Sequence, residues 1–147
     1  MPEKLGGFTV GDSVAFTKTV GESDVYLFAG ITGDLAANHV NEAYMAGTPY
    51  GHRIAHGVLI LGFASTASTL MLQRCAEHAV SYGYDRVRFI APVFLGDTVT
   101  VTYTVERVEP DEGKAYSRVE ATRQDDTVCL AATHVLKLMD VAEAAKP

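Results

Sequence analysis

The spacing of hydrophobic residues changes about half-way along the chain. From Glu22 to about His78, apolar side chains recur mostly at the spacing of a helix. From Ser81 onward they mostly alternate with polar residues, as they do in β-strands. The chain therefore predicts a mainly helical first half and a mainly β-stranded second half.

The first half predicts a strand, a short helix and one long helix. The strand covers residues 13–20, and Ser23 or Asp24 is expected to cap the short helix that follows. Gly57 opens the long helix, which is expected to run to about His78. Because this helix is apolar or small on nearly every side, we expect it to be buried on most faces.

The second half predicts four strands, over residues 84–93, 98–108, 115–124 and 128–139. In the clearest of them, 98–108, valines and a tyrosine alternate with threonines. Short links separate the strands, so antiparallel pairing in sequential order is expected. A strongly twisted antiparallel sheet wrapped around the long helix would cover its apolar surface. The predicted fold class is α+β.

Composition favours one globular domain over residues 1–147. Apolar residues make up 48% of the chain and charged residues 20%, a balance typical of a folded domain. Acidic residues outnumber basic ones and give a net charge of −6. Because no broad basic field is present, a nucleic-acid partner is not expected.

The sequence predicts a cytoplasmic protein. Cys75 and Cys129 lie far apart in apolar surroundings, so buried thiols are expected rather than a disulfide or a zinc site. The N-terminus lacks the pattern of a secretory signal. The most apolar stretch, 57–72, is interrupted by glycine, serine and threonine and is followed by Gln73 and Arg74, so no membrane span is expected.

An acid and an imidazole lie five residues apart in the polar loop 32–41. Asp34 and His39 can converge there on one water molecule or substrate proton, which is what general acid–base chemistry requires. The alternative is structural: Asp34 caps the next helical turn, and His39 packs or faces solvent. The spacing alone leaves both interpretations open.

The start of the long helix holds a second candidate group. His52 and His56 have the four-residue spacing of some metal sites, but no HExxH pattern, cysteine or carboxylate completes a ligand set, so no metal is expected. At Gly57 the free N–H groups of a helix start can stabilise an oxyanion, or the glycine can serve close packing. The Ser65 hydroxyl can bond to a carbonyl of its own helix.

Loops for phosphate or dinucleotide binding and a serine-nucleophile elbow are absent from the sequence. Arg86 and Arg88 are two residues apart on an expected strand and therefore share one face. A solvated surface is favoured there over a phosphate site. Arg53 and Lys137 are weaker phosphate-binding candidates.

Three segments together resemble a known family. They are residues 26–34 (YLFAGITGD) leading to His39, residues 54–57 (IAHG), and residues 89–97 (FIAPVFLGD). In this order they resemble MaoC-type hydratases, the (R)-specific enoyl-CoA hydratases of the hot-dog fold. The resemblance covers the chain from about residue 8 to residue 139.

The resemblance implies a hot-dog fold, usually a homodimer with an acyl-CoA tunnel at the subunit interface. It also implies hydration of a trans-2-enoyl-CoA to an (R)-3-hydroxyacyl-CoA, or the reverse dehydration. The CoA thioester is then the substrate, and no cofactor is needed. The family's catalytic pair falls on Asp34 and His39, its oxyanion-binding N–H on Gly57, and a serine that supports the catalytic loop on Ser65.

One departure from the family concerns the catalytic loop. The family motif typically has Asn-Pro two and three residues after the aspartate, whereas this chain has Ala36 and Ala37, with Asn38 next to the histidine. Loss of the proline is expected to loosen the loop, and loss of the amide removes an orienting hydrogen bond.

Two alternative functions stay open on the sequence. A hot-dog thioesterase would hydrolyse the acyl-CoA and release a free thiol. A non-catalytic hot-dog subunit that binds acyl chains would copurify with a second, catalytic chain.

Overall fold

The computed structural model describes residues 1–139. It contains seven strands, which are β1 (Lys4–Leu5), β2 (Phe8–Thr9), β3 (Ser13–Thr19), β4 (Ala79–Phe89), β5 (Thr98–Glu109), β6 (Lys114–Thr122) and β7 (Val128–Leu138). It contains four helices, which are α1 (Glu22–Thr32), α2 (Ala37–Val40), α3 (Glu42–Ala46) and α4 (Gly57–Cys75). Strands β1 and β2 form a small hairpin, and the other five strands form one antiparallel sheet. The α+β arrangement is the one that the sequence predicts.

The order of strands in the main sheet is β3-β5-β6-β7-β4. Strands β5, β6 and β7 form the expected meander, but β4 pairs with β7 rather than with β5, so the prediction of sequential pairing is wrong for β4. The link 90–97 explains the difference, because it is tied to other parts of the fold instead of forming a tight turn. The Val93 carbonyl accepts from the Ala55 N–H at 2.7 Å, and the Gly96 N–H donates to the Val20 carbonyl at 2.7 Å.

The core lies between the concave face of the sheet and one face of α4. Every second residue of β5 from Val99 to Val105 points inward and is fully buried. The matching face of α4 carries the buried residues Ile60, Phe63, Ala64, Ala67, Ser68 and Met71. The small residues on this face let the helix approach the sheet closely, as cores with high packing density require.

The opposite face of α4 is uncovered in the protomer. Val58, Gly62, Ser65, Thr66, Thr69 and Leu70 are exposed, so the expectation of burial on most faces is wrong for the described residues. By length and composition, α4 is the one helix within residues 1–139 that could cross a membrane. However, α4 packs against strands of the sheet as a core helix does, and core helices can have the same length and composition as membrane spans.

Several boundaries differ from the sequence prediction for local reasons. Helix α1 starts at Glu22 because Gly21 is its N-cap, and the Asp24 carboxylate accepts a hydrogen bond from the Gly21 N–H at 2.8 Å. Helix α4 ends at Cys75, where Ala76 adopts the left-handed conformation with φ 51°. Strand β4 therefore begins at residue 79 and ends at residue 89, before the proline of the link.

A β-bulge changes the expected placement of two arginines. The pairing of β4 with β7 shifts between Asp85 and Arg88, and Arg86 has a φ of 55° within the shift. Both arginines are exposed, which agrees with the solvated interpretation. The irregular backbone interrupts the alternation that would have placed them on one face.

A polar network around the buried His134 joins strands β5, β7 and β4. The His134 imidazole lies 2.7 Å from the Tyr103 hydroxyl through Nδ1 and 2.7 Å from the Ser81 hydroxyl through Nε2. His134 is fully buried, and burial lowers its pKa to about 4 from an ordinary 6.5. Burial also raises the pKa of Tyr103. The network is therefore neutral at physiological pH.

We expect His134 to make the fold sensitive to acid. Between about pH 6.5 and about pH 4 the unfolded chain protonates this imidazole and the folded chain does not, so the free energy of unfolding falls as pH falls through this window. The full effect is on the order of 3 kcal/mol. Urea unfolding across the window measures it, and His134→Gln is expected to flatten the pH dependence. If the free energy of unfolding of the variant depends on pH as steeply as that of the wild type, His134 is not the source of the acid sensitivity.

Candidate active site

The loop after α1 presents Asp34 at the surface. Gly33 closes α1 in the left-handed conformation with φ 82°, and its N–H donates to the Ala29 carbonyl at 2.8 Å. Asp34 follows as an exposed residue, and its Oδ1 accepts a 3.4 Å hydrogen bond from the Ala36 N–H at the start of α2. The capping interpretation of Asp34 is therefore wrong, because the N-cap of α2 is Ala36 and no side chain within residues 1–139 caps this helix. The bond is a long one within the loop and leaves most of the carboxylate free.

His39 points inward from α2. It is 8% exposed, and its Nδ1 lies 2.8 Å from the Ile54 carbonyl oxygen. Because a carbonyl can only accept, Nδ1 carries the proton and Nε2 is left as a proton acceptor. The loop before α4 therefore sets the tautomer that a general base needs.

The structure brings Asp34 and His39 together with a third group, His56. One polar side-chain atom of each residue lies within 4.8 Å of the others. His56 Nε2 lies 2.9 Å from the backbone carbonyl oxygen of Asp34. The imidazole rings of His39 and His56 stack at a centroid distance of 3.7 Å and an angle of 27°. The predicted pair is thus assembled by the fold rather than dispersed on the surface.

His56 is the site residue that the sequence interpretation missed. Its spacing from His52 drew attention to a metal pair, but His52 is exposed and bonds to Glu42 at 2.8 Å. The available signal was its place next to Gly57 in the segment 54–57. His56 is 2% exposed and also packs against the ring of Phe28 at 4.7 Å.

The three side chains satisfy the distance requirement for holding a metal ion. Their orientation is less suitable, because the ring lone pairs of stacked imidazoles lie in nearly parallel planes. Tetrahedral metal sites require lone pairs that converge on one point. The expectation that this site uses no metal stays a prediction.

A cavity of about 290 Å³ opens beside His39. Gly57 and Asn38 also contribute to its wall, and the rest of the lining is mainly apolar, formed by Tyr50, Ile54, Ala55, Ile60, Phe89, Ile90, Ala91, Pro92, Val93, Cys129 and Leu130. The asparagine displaced from its usual family position therefore still borders the site. Its Oδ1 is buried and has no hydrogen-bond partner within residues 1–139. An apolar chamber with a few polar groups at one end suits an acyl chain.

Gly57 is the first residue of α4, where helix geometry leaves N–H groups without intrahelical acceptors. The positive end of the helix dipole adds to their ability to stabilise an oxyanion. The glycine also serves packing, since a Cβ at this position would lie 2.6 Å from Cδ1 of the Phe89 ring. The structure is therefore compatible with both interpretations of Gly57, as an oxyanion-binding N–H and as a site of close packing.

The surroundings of Ser65 and Arg53 differ from those that a loop-supporting serine and a phosphate-binding arginine would need. Ser65 is exposed on the uncovered face of α4, and no hydrogen bond within residues 1–139 joins it to the Asp34 loop, so its supporting role stays a prediction.

Arg53 is held by Glu22 at 2.7 Å and by Glu42 at 2.8 Å. Hydrogen bonds from Arg53 and His52 lower the pKa of Glu42. The guanidinium therefore braces α1 against α3 instead of presenting a free phosphate site.

Most of the chain matches one known protein family. A family model described as MaoC like domain matches residues 7–128. The chain belongs to the MaoC-like domain family. Its residues 34, 39 and 57 all lie inside the matched region.

Proteins similar to this chain include hydratases and dehydratases. The chain is 42% identical to an (R)-specific enoyl-CoA hydratase of Rhodospirillum rubrum over 102 residues, which is 69% of each chain. It is 34% identical to a 3-hydroxybutyryl-CoA dehydratase of Methylorubrum extorquens over 119 residues, 81% of this chain and 74% of the relative.

A solved structure shows the same architecture. An (R)-hydratase from A. caviae involved in PHA biosynthesis superposes with a TM-score of 0.78 at 28% identity, covering 88% of this chain and 96% of that one. The predicted hot-dog fold is confirmed. The prediction of an enzyme of the hydratase and dehydratase class, a lyase, is confirmed as well.

Proposed function

We propose that this MaoC-like enzyme hydrates trans-2-enoyl-CoA thioesters to (R)-3-hydroxyacyl-CoA and catalyses the reverse dehydration. The observation that carries the proposal is the convergence of Asp34 and His39 within 4.8 Å, with His39 and Gly57 both lining an apolar cavity. The (R)-specific hydratase and the 3-hydroxybutyryl-CoA dehydratase among its relatives support the substrate class.

The reaction adds water across the carbon–carbon double bond. Water held between Asp34 and His39 attacks the β-carbon through its oxygen, and the two side chains together accept its proton and return one to the α-carbon on the same face. The thioester carbonyl takes up negative charge as an enolate, which the Gly57 N–H and the dipole of α4 stabilise. No electron is gained or lost overall, so the proposed chemistry needs no redox cofactor.

The product distinguishes this proposal from a thioesterase. Incubation of crotonyl-CoA with the purified protein is expected to yield (R)-3-hydroxybutyryl-CoA, identified by chiral chromatography, without release of free CoA. A thiol reagent that detects free CoA in proportion to substrate loss would favour hydrolysis instead. Neither product, together with an equimolar second hot-dog chain in the preparation, would favour the non-catalytic subunit.

We also propose a cytoplasmic homodimer. In the protomer β4 is an edge strand of the sheet, and around it Val80, Tyr82, Phe89 and Ile90 are 48–64% exposed. Pairing of two such edges would cover these residues, since unpaired apolar edges favour association. Sedimentation equilibrium is expected to give twice the protomer mass of 15.8 kDa, and a monomer at assay concentrations would overturn this part of the proposal.

A further inference from the structure

One buried imidazole joins the three parts of the candidate site. The His56 side chain contacts the backbone of Asp34 and the ring face of His39. Its own carbonyl accepts the first hydrogen bonds of α4, from the Leu59 N–H at 3.0 Å and the Ile60 N–H at 3.4 Å. The acid, the base and the helix start thus meet at a residue that itself does not line the cavity.

The hydrogen bonds of His56 define its tautomer. The Asp34 carbonyl can only accept, so His56 Nε2 carries the proton and donates it. Nδ1 is then an unprotonated acceptor, and it is buried without a partner within residues 1–139. Burying an acceptor without a partner costs free energy, whereas an apolar ring of similar shape would not incur that cost. What histidine provides here and an apolar ring does not is the Nε2–H that donates to the Asp34 loop.

The Asp34 loop has few other restraints. Residues 34–36 are exposed, and their other bonds are local. The Asp34 N–H donates to Thr32 Oγ1 at 3.2 Å, the Leu35 N–H donates to the Gly33 carbonyl at 3.1 Å, and the Asp34 carboxylate accepts from the Ala36 N–H at 3.4 Å. No proline stiffens the start of α2, because residues 36 and 37 are both alanine. Because those bonds are local, the 2.9 Å hydrogen bond from His56 ties the Asp34 backbone to the start of α4 and can determine where the carboxylate lies relative to His39.

We propose that His56 is a positioning residue for the hydration reaction. It acts through two contacts: the Nε2–H bond fixes the loop that carries Asp34, and the stacked ring fixes the orientation of His39. Because His56 directly precedes Gly57 at the start of α4, these two contacts also set the distances from Asp34 and His39 to Gly57. This inference rests on the proposed function, because positioning has a rate effect only if these groups handle the reacting water.

Two substitutions separate the donor from the ring. His56→Phe keeps an aromatic ring against His39 and Phe28 but lacks the donor, and we expect kcat for crotonyl-CoA to fall about 10²-fold, with KM changed by less than about threefold. His56→Gln retains an N–H at a similar reach, and we expect kcat to stay within about tenfold of the wild type. His52→Phe is the matched control, since that histidine is exposed and outside the site.

The outcomes decide the proposal. Full activity of His56→Phe, or an equal loss of kcat in the Phe and Gln variants when both are folded by circular dichroism, would overturn the donor role. A loss that appears in KM alone would also overturn it, because positioning affects the chemical step.

A second measurement covers the case in which a variant does not fold or the wild type is inactive on enoyl-CoA. Long-range ¹H–¹⁵N NMR of the wild-type protein is expected to show His56 with its proton on Nε2 and His39 with its proton on Nδ1. A His56 proton on Nδ1 would overturn the inference whatever the substrate. Inactivity with the expected tautomers would instead reject the proposed function and leave the geometry intact.

Discussion

Asp34→Asn and His39→Gln are each expected to lower the hydration rate of crotonyl-CoA by about 10²–10⁴-fold. Asparagine keeps the shape of the aspartate but cannot accept a proton, and glutamine keeps a polar group at position 39 without a titrating nitrogen. Because Asp34 is exposed and its one side-chain bond is 3.4 Å long, its replacement is expected to leave the fold intact. His39 is buried, so its variant needs a thermal unfolding curve beside the assay.

Matched controls come from exposed residues of the same type. Asp111→Asn in the β5–β6 turn and His52→Gln at the surface are expected to retain wild-type turnover. If Asp34→Asn and His39→Gln both hydrate crotonyl-CoA at near-normal rates, the pair does not carry the reaction.

The second large effect is expected at Gly57. Gly57→Ala places a Cβ only 2.6 Å from an atom of the Phe89 ring, so the ring must move within the cavity wall. The same methyl group would also stand next to the N–H proposed to bind the thioester oxygen. We expect turnover to fall by about 10²-fold, as small displacements at a reacting centre do.

A double variant separates packing from oxyanion binding at this position. In Gly57→Ala/Phe89→Leu the smaller side chain makes room for the Cβ, so stability is expected to recover relative to Gly57→Ala. Turnover is expected to stay low compared with Phe89→Leu alone, because the methyl group still blocks the N–H. Recovery of turnover to the level of Phe89→Leu would show that Gly57 serves packing only.

The strands were predictable where local pattern determines them. Alternation over 98–108 predicts β5, which the structure places at Thr98–Glu109. The position of β4 in the sheet was not predictable, because it depends on where the link 90–97 is anchored. That anchoring comes from backbone bonds to Ala55 and Val20, which are distant in sequence and carry no pattern.

The site shows the same division between local and long-range information. The five-residue spacing of Asp34 and His39 is readable along the chain, and the fold brings the two together. The contacts of His56 with this pair are a bond across 22 residues and a ring stack, and neither can be read from residue spacing. The burial of His134 likewise follows from its place on β7, which pairs with β6 on one side and β4 on the other, and from its contact with Tyr103 of β5.

The most direct test of the account is a progress curve for crotonyl-CoA, followed by the absorbance of the enoyl thioester, with wild-type protein and Asp34→Asn run side by side. We expect the wild type to consume the enoyl group to an equilibrium with its hydrated product and the variant to leave it nearly untouched. Loss of absorbance at equal rates in both proteins, or in neither, would contradict the assignment of Asp34 to the hydration of enoyl thioesters.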